Sequence, residues 1–350
     1  GQSRAAAVYV PPRGAVEERL ARIVAEVIGA ERVGADDDFF DLGLHSLLAT
    51  QVTSRIRDVL DAELSLRVFY EARTLAGLAA EVERHGAAPA RPSIASFRQD
   101  RSMPPQLSFA QERFWTGRQH EAQSVASTIP MLWRFAGRLD LACLSRALRE
   151  IVARHEVLRT SFREDEAGPV QVVHPEVSFR FPVVDLERLD PEDRTAEIRL
   201  WSTLDGRTHF DLERGPLFRL LLFRCSEMES VLLFTVHHGA FDGWSDSILI
   251  GELSALYNAF LEGRPSPLPP LAAQYQDFAR WQRRILAGEA LEREIAFWRE
   301  HLQGALPVDL RGGHPLPDPQ TFEAGIEPFT VSEELERKLE AFAAANGATL

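Results

Sequence analysis

Val236-His237-His238-Gly239-Ala240-Phe241-Asp242-Gly243-Trp244-Ser245 follows two apolar, β-favouring runs, Leu217 to Cys225 and Val231 to Val236. The polar string Ser226-Glu227-Met228-Glu229-Ser230 separates the runs, so the pattern predicts a buried hairpin that ends in two imidazoles. Histidine changes charge near neutral pH, and one such ring can take up a proton and return it within a single cycle. Asp242 lies just beyond, placed either to contact the catalytic imidazole or to ion-pair with an arginine and hold the loop in shape. Gly243 comes next; glycine permits torsions that other residues avoid and lets a substrate approach the main chain closely. Two adjacent histidines also suit metal ligands or packed polar residues. Neighbours on a strand point to opposite faces, however, which argues against one shared ion.

Working outward, Leu249, Leu253, Leu256 and Phe260 recur on one helical side, and more helix is expected from about Ala273 to Leu302. Upstream, Met131 to Gly137 reads as a strand, and Leu141, Leu144, Leu148 and Ile151 mark one face of a helix. Strands are expected at Val157 to Arg163, Val170 to His174 and Arg180 to Val184, with a helix from about Glu192 to Trp201. From about Pro105 onward this is a mixed α/β unit with helices covering a sheet.

The first part of the chain has a different period. Leu20, Ile23, Val24, Val27 and Ile28, then Leu48, Val52, Ile56 and Leu60, then Leu75, Leu78, Ala79 and Val82 are spaced as helical faces that can bury one another in a small bundle. Between the first two runs lies Asp36-Asp37-Asp38-Phe39-Phe40-Asp41-Leu42-Gly43-Leu44-His45-Ser46-Leu47. Its acidic start reads as a solvated loop, and Ser46 by itself reads as a helix N-cap. Residues 1–13, ending in Tyr9-Val10-Pro11-Pro12-Arg13, and residues 87–104, rich in Ala, Pro, Ser and Arg, read as linkers.

At 350 residues the chain is long enough for two or more domains with their own cores. A formal net charge of −13 argues against a nucleic-acid surface, which needs clustered Lys and Arg. Cys143 and Cys225, the two cysteines, fall on an expected helix and an expected buried strand, and read as reduced core thiols. No run of about eighteen apolar residues is present and no basic-then-apolar N-terminus, so we expect neither a membrane span nor a signal peptide, and a cytoplasmic location. His120, His155, His174 and His209 lack the spacing of a metal site, and we expect no metal.

The central string resembles the HHxxxDG signature of condensation domains from nonribosomal peptide synthetases, within the acyltransferase superfamily built on the chloramphenicol acetyltransferase fold. Three further strings resemble that family's other motifs in the same order. They are Leu107-Ser108-Phe109-Ala110-Gln111-Glu112-Arg113-Phe114-Trp115, then Arg154-His155-Glu156-Val157-Leu158-Arg159-Thr160-Ser161-Phe162, and after the histidines Tyr275-Gln276-Asp277-Phe278-Ala279-Arg280-Trp281. Trp115, Trp244 and Trp281 in these strings are expected in the core or a tunnel wall. The loop around Ser46 resembles the (D)xFFxLGGHSL attachment site of peptidyl carrier proteins, with Leu44 where a second glycine is more usual.

These resemblances imply a linker from an upstream adenylation domain (1–13), a four-helix carrier bundle (14–86), a linker (87–104) and a chloramphenicol-acetyltransferase-like condensation lobe (105–350) with its second lobe only begun. They imply 4'-phosphopantetheine on Ser46, installed by a phosphopantetheinyl transferase, and downstream adenylation and carrier domains. They also imply amide formation between an acyl or peptidyl thioester and an acceptor aminoacyl thioester. His238 is implied as the catalytic imidazole, and His237 and Asp242 as structural, with Arg154 or Arg159 as the buried ion-pair partner of Asp242. Gly243 is implied to keep the substrate tunnel clear. An epimerisation domain shares the histidine motif, although His45 before Ser46 resembles carriers that precede condensation domains. An ester-forming or cyclising relative and a non-catalytic recruitment module are the remaining alternatives. Cyclisation is disfavoured by the first histidine, since that branch usually has aspartate there, and recruitment by the intact HHxxxDG string.

Overall fold

The structure, a computed structural model, describes residues 9–39, 42–44, 46–62, 64–85, 94–97, 105–117, 126–166, 168–306, 327–346 and 350. His45, His120 and all of the 87–104 linker except Ile94–Phe97 lie outside them. The backbone divides into two compact units, Gly1–Arg91 with Gly325–Leu350, and Pro92–Ala324.

Among the described residues the N-terminal part of the first unit contains four short helices, α1 (Gly14–Ile28), α2 (Ser46–Leu60), α3 (Leu66–Ala72) and α4 (Leu75–His85). The apolar spacing does what it predicts: Leu20, Val24, Val52, Ile56, Leu75 and Leu78 are fully buried together. A buried side chain of this kind stabilises by about 1.5–3 kcal/mol. Gly29 ends α1 in the left-handed conformation, φ 69°, and its N–H reaches back to the Ala25 carbonyl. The sequence period misses α3, because seven residues present one apolar anchor, Phe69, and not a repeating face. That anchor stacks on Phe39 with ring centroids 5.1 Å apart, which pins the loop before α2.

Among the described residues of the second unit the helices α5 (Phe109–Gly117), α6 (Leu141–Arg154), α7 (Pro191–Gly206), α8 (Gly243–Leu261), α9 (Tyr275–Ile285) and α10 (Glu289–His301) accompany six strands. The four strands β1 (Thr128–Ala136), β6 (Glu229–His237), β5 (Phe218–Ser226) and β4 (Val183–Asp185) form one sheet in that order. Strands β2 (Thr160–Asp165) and β3 (Gly168–Val173) form a separate ribbon. The expected hairpin is β5–β6, paired antiparallel from Phe218↔Val236 to Ser226↔Glu229, with a turn cut down to Glu227 and Met228. Strand β6 lies between β5 and β1, and both its faces are covered: Leu232, Phe234 and Val236 enter the main core while Leu233 packs with Leu186 and Phe223 in a second cluster, so burial is unbroken from Leu232 to His237. A further helix, α11 (Glu333–Ala345), belongs to the C-terminal segment.

Two expected strands are corrected. Glu156–Arg159 form a 3₁₀ turn, since the Leu158 N–H bonds the His155 carbonyl and the Thr160 hydroxyl bonds the Glu156 carbonyl; the strand starts only at Thr160. In the Arg180 to Val184 run only Val183 onward pairs, in parallel with Leu222–Arg224. Pro182 has no N–H to continue the ladder, although its carbonyl accepts from Leu222. The helix expected across Ala273 to Leu302 is two helices, broken at Gly288, whose φ is +52°.

Candidate functional site

Strand β6 delivers the two histidines to opposite environments. His237 is 2% exposed, whereas His238 is exposed. The His238 N–H donates to the Ser127 carbonyl at 2.7 Å and thereby extends the β1–β6 ladder beyond its last paired residues. The Nδ1 of His237 accepts the Gly239 N–H at 2.9 Å, which leaves its ring proton on Nε2. Burial first, and the neighbouring His238 second, push the His237 pKa down to about 4, so this ring is neutral at physiological pH.

That depression has a consequence for stability. Between about pH 6.5 and 4 the unfolded chain takes up a proton at His237 that the folded chain refuses. The stability held above pH 6.5 should therefore fall as the pH drops through this window, with a slope of up to about 1.4 kcal/mol per pH unit. Denaturant unfolding of the wild type and of His237→Asn across pH 4 to 7 checks it; equal slopes would refute the assignment.

Gly239 is a position where a side chain would be tight. A Cβ there would come within 3.1 Å of His237 Nδ1 and 3.4 Å of Phe162. At Gly243 the torsional argument fails, because its φ is not in the left-handed region and an added Cβ would meet nothing within 4 Å. The protein's own packing does not demand glycine there.

The expected pairing of Asp242 with an arginine is also corrected. Asp242 is exposed and is the N-cap of α8: its Oδ1 accepts the Ser245 N–H at 2.9 Å and the Ser245 hydroxyl at 2.7 Å. Arg154 instead donates to Glu252 at 3.0 Å and to the Pro269 carbonyl at 2.6 Å, and Arg159 bonds the His174 carbonyl and Glu156. An aspartate immediately before a helix satisfies free amides more cheaply than it satisfies a buried charge, so local capping decides its orientation. Asp242→Ala should cost about 1 kcal/mol of stability, as a lost cap does, and leave the loop folded. A thermal-unfolding comparison with wild type checks this.

The other strings converge on the histidines. In α5, Gln111 Nε2 donates to the Gly239 carbonyl at 3.3 Å, and the Phe114 ring lies 5.4 Å from His238 and 5.5 Å from His237, centroid to centroid. Helix α9 supports α5 from below: Tyr275 and the fully buried Ser108 share a hydrogen bond of 2.9 Å, and the Gln282 side chain accepts the Phe109 N–H at 3.0 Å. Burial raises the Tyr275 phenol above its ordinary range, and the Asp242 carboxylate adds to this, while the bond to Ser108 opposes it. Gln274, which caps α9, accepts the Glu156 N–H and donates to the Arg154 carbonyl, joining the second string to the fourth. Trp115 is 3% exposed and donates to Glu164. His155 and His174 are tied to Glu252 and Ser161. Among the described residues no three His, Cys, Asp or Glu side chains are grouped to hold a metal ion. Gln111, Phe114, Tyr275 and Glu252 had no separate role in the sequence reading; for the first three, membership of the recognised strings was the available signal.

Residues 104–350 match the family model described as the condensation domain. The chain belongs to the condensation-domain family. Ahead of the condensation domain, residues 18–82 match the phosphopantetheine attachment site, which makes 4'-phosphopantetheine the covalent cofactor of the carrier bundle. Over 348 residues, 98% of its length, the chain is 40% identical to a linear gramicidin synthase of Brevibacillus parabrevis, and it spans 7% of that relative. Among solved structures, the X-domain from teicoplanin biosynthesis is 32% identical, with a TM-score of 0.54, over 66% of this chain and 48% of that one. The starter condensation domain of rhizomide synthetase RzmA, 21% identical with a TM-score of 0.52, covers 57% of this chain and 48% of its own, and shares the fold.

The carrier bundle presents residues that suit its cofactor. Ser46 is the first residue of α2, where helix amides are free of intrahelical partners and the dipole favours a phosphodiester. Phe39 and Leu44 of the same loop are buried at 0% and 2% exposure, so the attachment loop is anchored on both sides of the Gly43 turn, φ +88°.

Proposed function

We propose that this chain takes part in nonribosomal peptide synthesis, with Ser46 as the phosphopantetheine attachment residue and His238 as the imidazole that handles the proton of amide formation. The proposed divisions are a carrier at 14–86 and a condensation domain at 105–350, in a cytoplasmic assembly with adenylation and further carrier domains. The observation that carries the reading is the asymmetry of the pair: one exposed imidazole, His238, on a scaffold whose neighbour is buried and neutral.

The arm, when attached, supplies a thiol that holds the acyl group as a thioester. An α-amino group has a reference pKa of about 7.7–8.0, so a useful fraction is already the free base at neutral pH. When its nitrogen bonds to the acyl carbon it becomes an ammonium, and His238 accepts that proton; the carbon–sulfur bond of the thioester is the one that breaks, and the leaving thiolate would take a proton to become the free thiol of the arm. Orientation supplies much of the rest, since effective molarities of well-placed groups reach about 10⁵–10⁸ M. Gly243, with open space beside its Cα, leaves room for the substrate.

The test is intact-mass analysis. The protein is incubated with a phosphopantetheinyl transferase and aminoacyl-CoA, and an acceptor carrier loaded with a second amino acid is then added. We expect a mass gain on Ser46 followed by a dipeptidyl product on the acceptor. A retained load whose α-carbon is inverted, read by chiral chromatography of the amino acid released by hydrolysis because inversion leaves the mass unchanged, would identify an epimerisation domain. A load neither inverted nor transferred would favour a recruitment module, the reading that likeness to the X-domain keeps in play, since another solved structure is the complex of that domain with OxyB.

A further inference from the structure

We infer that Phe114 is the positioning residue for His238, an inference that rests on the proton-handling role proposed for that imidazole. A catalytic imidazole is usually oriented by an acceptor on its second nitrogen, typically a carboxylate. Among the described residues the His238 ring has no such side-chain hydrogen bond, and Asp242, the nearest acid in the string, is committed to Ser245. What the ring does have is an aromatic face: Phe114 is stacked on it at 5.4 Å, with the planes 22° apart.

The same phenyl ring meets His237 edge to face, at 5.5 Å and 81°. One side chain therefore holds both histidines by different contacts, its face to the exposed ring and against the buried one in a T-shaped arrangement. Both are favoured geometries for flat π systems, and both restrict rotation about χ2 of the imidazole. Arg113 places its guanidinium carbon 5.1 Å from the Phe114 centroid, adding a further contact to the ring.

The support behind Phe114 is rigid. It lies three residues after Gln111 on α5, so the two share a helix face. Gln111 holds the Gly239 carbonyl just after the pair while Phe114 holds the rings. Helix α5 is in turn fixed to α9 by the Ser108–Tyr275 bond, the Phe109–Gln282 bond and Arg283, which donates to the Leu107 carbonyl at 2.9 Å and pairs with Glu112. The opening string thus acts through Phe114 on the orientation of His238, without itself touching a reacting atom.

Phe114→Leu, made in the complete protein, keeps apolar volume and helix propensity but removes the flat face. We expect kcat for amide formation to fall about tenfold, with KM for the loaded acceptor carrier changed by less than about twofold, as misorientation of a catalytic group predicts. The ring-current shift of the His238 carbon-bound protons should vanish in NMR spectra, and Phe114→Tyr should restore both rate and shift. If the Leu variant does not fold, Phe114→Met takes its place. In a His238→Ala background the Leu change should cost nothing further. An unaltered kcat together with unmoved His238 resonances would overturn the inference. A fully active His238→Ala variant would instead overturn the reading on which it rests, so the two failures are told apart.

Discussion

His238→Ala should lower amide formation by about 10²- to 10⁴-fold, the range that a positioned general base contributes, with the fold and the loading of Ser46 retained. The retention follows from where the residue stands. His238 is exposed, its backbone N–H bonds the Ser127 carbonyl, which alanine keeps, and the ring contact it loses is the one with Phe114. The neighbouring residue behaves oppositely: His237→Ala opens a cavity in a buried region and leaves the Gly239 N–H without its acceptor, so its loss appears first as lower stability. The proposed loading residue, Ser46, heads α2 in the other compact unit, so both histidine variants should still be loaded. A stoichiometric assay with a loaded donor and a loaded acceptor carrier checks the prediction. Undiminished dipeptide from a folded, loaded His238→Ala protein would sink the assignment.

Elements whose period is carried by several side chains were legible in the sequence. Helix α6 repeats Leu144, Leu148 and Ile151 toward the core, and β6 carries the apolar run Val231 to Phe234 with every residue from Leu232 to His237 buried. What escaped were features set by a few local contacts: α3, which hangs on Phe69, and the 3₁₀ turn at Glu156–Arg159, which is closed by the Thr160 hydroxyl and by main-chain bonds from Leu158 to His155 and from Thr160 to Val157. The site divides in the same way. The motif string puts both imidazoles at a strand end, but it cannot say that Phe114, more than a hundred residues earlier, lies against them. Nor can it choose the acid that pairs with Arg154. Asp242 is nearer in the string, yet α8 turns Glu252 toward the end of α6 and uses Asp242 to start itself.

Glu252→Ala should therefore cost far more stability than Asp242→Ala, about 3–5 kcal/mol against about 1. The Glu252 carboxylate is only 13% exposed and bridges two partners, the Arg154 guanidinium at 3.0 Å through Oε1 and the His155 ring at 2.6 Å through Oε2. Arg154 is equally sheltered, at 14% exposed, and it also donates to the neutral Pro269 carbonyl. Removing the carboxylate leaves a largely buried guanidinium without its counter-charge, and the cost of that stranded charge, more than the worth of the pair itself, sets the magnitude. The damage should spread along one path. Arg154 also offers its carbonyl to Gln274, whose side chain receives the Glu156 N–H, so loosening Arg154 loosens the start of α9 and with it Tyr275 and Ser108 beneath α5. Denaturant unfolding of the two alanine variants checks the order. Glu252→Gln should fall between them, since it keeps a hydrogen-bond acceptor for Arg154 and loses the charge. If Asp242→Ala proves the more damaging, the buried ion pair belongs to Asp242 after all, and the cap geometry at the head of α8 does not describe the protein in solution.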